Sequence, residues 1–133
     1  WNLMGKSLNS RLLLGTAHYP SLAILTAAIQ ASRTQVITLS IKRQAPLGHG
    51  GEAFWQAVKM LDCHLLPNTA GCADAGTAIR TAEIARELFK TSWIKLEVIG
   101  DEYNLQADPI ELIKAAKILL NKVLMFFLIA PMI

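Results

Sequence analysis

Short runs rich in β-branched and aliphatic residues alternate with helical patterns along this sequence, and that alternation narrows its fold more than any other feature. It marks βαβ units, in which parallel strands are joined by helices that cover the sheet. Residues 11–16 (RLLLGT) read as a first strand ending at Gly15. Residues 20–32 follow as a helix, with Pro20 in its first turn and Leu22, Leu25 and Ile29 near helical spacing. Residues 35–41 (QVITLSI) are a second, β-branched strand. Residues 45–51 hold Pro46 and three glycines and read as a loop, and residues 52–61 as a helix. Residues 63–67 (CHLLP) form a third strand with a turn, residues 68–72 (NTAGC), at its end; Gly71 suits that turn. Asp74 is the expected N-cap of a long helix, and residues 93–99 (WIKLEVI) are a fourth strand. Asp108-Pro109 caps and starts another helix reaching Leu120. The apolar run at residues 123–133 reads as a buried fifth strand.

Composition excludes several classes. With 133 residues, 53% of them apolar, the chain suits one domain and is not disordered. Its 13 basic and 10 acidic residues are scattered without a basic cluster, so no nucleic-acid partner is expected. The apolar run falls short of the roughly 20 residues that a spanning helix needs, and Pro131 interrupts it, so no membrane association is expected. Residues 1–10 lack the apolar core of a signal peptide, and two cysteines cannot staple a chain of this size. A cytoplasmic protein with free thiols is expected. Cys63, His64 and Cys72 lack CxxC or HxxxH spacing and a fourth ligand, so neither metal nor cofactor is expected. Gly48, Gly50 and Gly51 around His49 form no phosphate-cradling pattern. His18 and the Lys42-Arg43 pair at the end of the second strand read as solvated, and Trp55 and Trp93 as packing residues.

The fourth strand is unusual because it carries charge. Strand side chains alternate faces, so Lys95 and Glu97 share one face while Ile94, Leu96 and Val98 share the other. Strands of a parallel sheet are normally apolar on both faces. One reading is a structural ion pair or an edge strand with a wet face. The other is a reactive lysine: burial disfavours an ammonium, and a neutral amine can attack a carbonyl. Glu97 would then shuttle protons, and such groups belong near the carboxyl ends of the strands in (β/α) barrels.

Several segments together resemble the thiazole synthase of bacterial thiamine biosynthesis. They are SRLLLGTAHYPS (10–21), VITLSIKR (36–43), LLPNTAGC (65–72), TAEIAREL (81–88), WIKLEVIGD (93–101) and DPIELIKAAKILL (108–120). They follow the family's order and about its spacing, and LLPNTAGC with KLEVIGD is a specific combination. The resemblance implies a (β/α)8 TIM barrel that condenses 1-deoxy-D-xylulose 5-phosphate with dehydroglycine. Sulfur would come from the thiocarboxylate of a ubiquitin-like sulfur-carrier protein. It implies that Lys95 forms an imine with the sugar ketone and that Glu97 is an acid/base group. Asn68 and Thr69, in the turn after the third strand, are weaker candidates for contact with substrate.

Family barrels run to about 250 residues. The expectation is therefore a single incomplete domain over residues 1–133: the N-terminal half of a barrel, about four and a half βα units of parallel strands. The match covers about residues 10–120, with a divergent apolar tail at 121–133 in which Val123-Leu124 and Pro131-Met132 replace a Gly-Phe and a Pro-Tyr pair. Ser32-Arg33-Thr34 stands where the family has a small turn, Gly76 dilutes the start of the third helix, and Ala107 replaces a usual proline. The phosphate-binding loops expected after strands seven and eight are missing from this stretch. Two functions follow: a thiazole-synthase-like enzyme, or a non-catalytic half barrel that retains a partner surface. A homo-oligomer of two halves is one way to cover the open edges.

Overall fold

The structure, a computed structural model, describes residues 1–44, 49–122 and 125–128. It opens on a small antiparallel hairpin, β1 (Asn2–Leu3) and β2 (Lys6–Ser7). Met4 and Gly5 form its two-residue turn with φ of 47° and 78°, the positive values that match the twist of paired strands. Strands β3 (Leu13–Gly15), β4 (Val36–Ser40), β5 (His64–Asn68), β6 (Trp93–Leu96) and β7 (Met125–Leu128) then form one sheet. They lie side by side in chain order and every neighbouring pair is parallel. Helices α1 (Leu22–Ser32), α2 (Ile41–Gln44), α3 (His49–Lys59), α4 (Ala75–Phe89) and α5 (Pro109–Leu120) lie between the strands. This is an α/β protein with a parallel sheet. No helix among the described residues is long and apolar enough to cross a membrane.

The two faces of the sheet differ. One packs against helices: Ile37, Leu39, Ile94, Leu96 and Val98 meet Leu25 and Ile29 of α1, the alanine stripe Ala78, Ala82 and Ala85 of α4, and Leu112, Ala115 and Leu119 of α5. The small alanines let α4 come close to the strands, and the larger side chains of the sheet fill the layer between. On the other face a second cluster joins Val36, Leu66 and Trp93, and Leu8, just after the hairpin, plugs it at 1% exposure. This cluster lies toward the amino ends of β4, β5 and β6. The amine of Trp1 donates to the Leu8 carbonyl (2.8 Å) and its indole to the Ser10 carbonyl (2.7 Å), which ties the hairpin down.

Several boundaries depart from the sequence expectation. Pro20 lies outside α1, because Ser21 is the N-cap and its hydroxyl accepts from the Ile24 amide. The second strand gives way to α2, so Lys42 and Arg43 sit on a short helix rather than at a strand end. Helix α3 starts at His49 and takes in Gly50 and Gly51, which the glycine count had assigned to a loop. They fall in its first turn, where amides have no intrahelical bond to lose. Gly76 likewise falls in the first turn of α4. The fourth strand stops at Leu96 instead of Ile99, which instead bridges antiparallel to Ala107. The expected fifth strand is present as β7, while residues 123–124 and 129–133 of that run lie outside the described residues. Asp74 and Asp108 cap α4 and α5 as read, each accepting from amides of the first turn.

Candidate active site

Along the face that carries Leu8, the side chains change character from one end of the sheet to the other. Strand period two puts Val36, Thr38 and Ser40 of β4 on that face, with Leu66 and Asn68 of β5 and Trp93 and Lys95 of β6. The apolar members lie toward the amino ends and the polar ones toward the carboxyl ends. There they line a cavity of about 180 Å³ together with Gly15, Thr16 and Glu97. Four strands therefore contribute to one polar concavity.

Lys95 and Glu97 do meet on that face, as alternation predicts. The Lys95 Nζ lies 3.7 Å from Glu97 Oε1, with side chains 30% and 19% exposed. That separation holds an ion pair but exceeds a hydrogen bond. Glu97 Oε1 is buried and accepts no hydrogen bond. A buried carboxylate oxygen without a donor is costly in a fold assembled for stability alone. It leaves a free acceptor beside the amine, at the wall of the cavity.

Asn68 lines the cavity, and its Oδ1 accepts from the Ala70 amide (3.1 Å), which forms the turn after β5. Thr69 differs. It is fully buried and does not line the cavity; its hydroxyl donates to the Glu97 carbonyl (2.6 Å) and accepts from the Glu97 amide (2.9 Å). Gly71 continues that turn at φ 80°, a left-handed value that favours glycine. Lys42 is exposed, as expected, but stands on α2 instead of a strand end, and its ammonium donates to the Gly71 carbonyl, which ties α2 to the turn.

Sequence reasoning did not single out Gly15, Thr16, Thr38 or Ser40. The Thr16 hydroxyl donates to the Thr38 carbonyl (2.9 Å), joining the carboxyl ends of β3 and β4. The available signal was VITLS itself: counting by twos from Val36 puts Thr38 and Ser40 on the face of Lys95. Other singled-out residues lie elsewhere. His18 is exposed beside the lining residue Ala17, with φ 66°. The His64 ring packs on Trp93 at 5.3 Å between centroids, and Trp55 packs edge-on against Phe89. Cys72 is buried with its Sγ 3.5 Å from the Thr81 hydroxyl, and Cys63 Sγ lies 3.5 Å from the Thr34 carbonyl. Burial, and then the charge of Asp62, push the Cys63 thiol up, away from the reactive thiolate. Among the described residues no group of three or more His, Cys, Asp or Glu side chains is placed to hold a metal ion.

Fold and cavity together define an α/β protein with a polar cleft at the carboxyl ends of its parallel strands, where ligands bind in this class. The family model described as "Thiazole biosynthesis protein ThiG" matches residues 2–129, and the chain belongs to that family, which serves thiamine biosynthesis. It is similar to the thiazole synthase of Coxiella burnetii (strain Dugway 5J108-111), at 52% identity over 122 residues, 92% of this chain and 47% of that protein. The thiazole synthases of Cupriavidus necator and Cupriavidus taiwanensis are 55% and 54% identical over 122 residues, 90% of this chain and 44% of each of them. The chain spans a little under half the length of these curated relatives.

Proposed function

We propose that Lys95 forms an imine with the ketone of 1-deoxy-D-xylulose 5-phosphate, in the condensation that builds the thiazole phosphate of thiamine. The observation that carries this reading is the Lys95–Glu97 pair, whose two members are the ionisable side chains on the 180 Å³ cavity. A neutral Lys95 amine adds to the ketone carbon, and its two N–H protons pass in turn through the Glu97 carboxylate to the former ketone oxygen. The first makes the hydroxyl of the carbinolamine and the second makes the water that leaves, so the C=N bond forms and no net proton is consumed. Such an imine draws electrons from the neighbouring carbon and eases loss of a proton there. Asn68 and the Thr16 and Thr38 hydroxyls offer hydrogen bonds to the sugar. In this reading dehydroglycine supplies the nitrogen fragment and a ubiquitin-like carrier's thiocarboxylate the sulfur, in the cytoplasm.

The same reading makes residues 1–133 a single domain corresponding to about four and a half of the eight βα units of a barrel. The second reading is a structural ion pair, in which Lys95 and Glu97 hold the sheet face without turnover. Incubation with the ketose phosphate and borohydride, followed by intact-mass measurement, separates the two. The first predicts one reduced adduct on the wild-type chain and none on Lys95→Ala. An unmodified wild type, or an adduct that survives Lys95→Ala, overturns it.

A further inference from the structure

We infer that Thr69 is a positioning residue that sets the Lys95–Glu97 geometry by gripping the Glu97 backbone at two points; this rests on the imine reading above. Strands β5 and β6 pair at Asn68 with Lys95, and Asn68 is the last residue of β5. At that point Thr69 takes over from the ladder. Its amide donates to the Lys95 carbonyl (3.2 Å), and its hydroxyl both donates to the Glu97 carbonyl and accepts from the Glu97 amide, at 2.6 and 2.9 Å. One residue thus holds the backbone on either side of Leu96, and so holds both partners of the pair.

The grip matters because the Glu97 carboxylate has little else to fix it. Oε1 accepts no hydrogen bond, and its contact with the Lys95 ammonium is 3.7 Å. Its place is therefore inherited from its own backbone, and that backbone lies past the end of β6. Thr69 is 0% exposed and does not line the cavity, so it acts through Glu97 and not on a ligand. A serine retains the hydroxyl and both bonds. A valine of the same shape removes them and leaves the half-buried Glu97 amide and carbonyl short of a partner.

The test pairs a structural readout with a chemical one on the full chain. Amide hydrogen exchange at Glu97 should accelerate at least tenfold in Thr69→Val and stay near wild type in Thr69→Ser. The rate of borohydride trapping by the ketose phosphate should fall at least tenfold in Thr69→Val at unchanged half-saturation, with recovery to within about threefold in Thr69→Ser. Both expectations follow because the loss of a positioned proton-transfer group affects the step and not the binding. On a Glu97→Gln background, Thr69→Val should produce no further loss. An equal loss on both backgrounds overturns the inference, as does a trapping rate that is unchanged while the Glu97 amide exchanges freely. If Thr69→Val does not fold, Thr69→Ser decides: a tenfold loss of trapping with the Glu97 amide still protected overturns the inference. A wild type that yields no Lys95 adduct overturns the imine reading itself and this inference with it, and is distinguished by the Lys95→Ala control.

Discussion

Lys95 and Glu97 stand two residues apart, and the two-residue period of a strand is what turns their side chains to one side. The pairing survives although Glu97 lies one residue past β6, where the Thr69 hydroxyl bonds both its amide and its carbonyl. Glu97→Gln preserves shape and removes the proton acceptor, so the trapping rate should fall by roughly 10²-fold to 10⁴-fold. An unchanged rate would remove Glu97 from the chemistry. Gly71→Ala should destabilise the fold by about 1–2 kcal/mol in a urea melt, since a side chain at φ 80° meets the backbone. At this scale the charged pair was legible because charge on a buried strand violates the usual pattern. Thr16, Thr38 and Ser40 were not singled out, since lone hydroxyls are common on strands and at their ends. Asn68 and Thr69 were read together, and only the three-dimensional bond pattern separates them: Asn68 lines the cavity, and Thr69 is buried behind it.

Helices α1, α4 and α5 each begin at a capping side chain, Ser21, Asp74 and Asp108. Asp108 Oδ1 accepts from the amides of Ile110 (2.9 Å) and Glu111 (3.0 Å), and Asp108→Ala should cost about 0.5–2 kcal/mol in a denaturant melt. At α4, hydrogen bonds from the Thr77 hydroxyl and then its amide hold the Asp74 carboxyl below its usual range. At α5, the Lys114 ammonium, and then the Ala75 amide, do the same for Glu111. A lowered folded value means that each contribution is present above the unfolded value, near 4, and is lost as pH falls through the lower folded value. The urea midpoint should therefore drop as the solution is acidified below about pH 4. Asp74→Asn, which can still cap, should flatten part of that decline; an acid limb identical to wild type would contradict the assignment. Caps and β-branched runs made most elements readable. The hairpin escaped because two-residue strands have no period to detect. The start of α3 escaped because glycine propensity is a weak guide in a first turn.

Across the whole molecule, the face opposite the helices runs from an apolar end plugged by Leu8 to a polar end bearing Lys95 and Glu97. The apolar cluster and the candidate site thereby lie at opposite ends of the same strands. Leu8→Ala should cost about 2–5 kcal/mol in a denaturant melt, yet leave the trapping rate per folded molecule unchanged. A slowed rate in fully folded Leu8→Ala would show that the two ends are coupled. The parallel order of β3 to β7 was readable because helical stretches separate the strands, and a parallel pair needs such a crossover. The division of one sheet face into an apolar and a polar end was not, since it depends on which end of each strand Leu8 comes to cover. The most direct test of the account maps the borohydride-reduced adduct to its residue by peptide mass spectrometry. The account predicts the ketose phosphate on Lys95 and on no other lysine; an adduct on a surface lysine, or an unmodified Lys95 peptide, would contradict it.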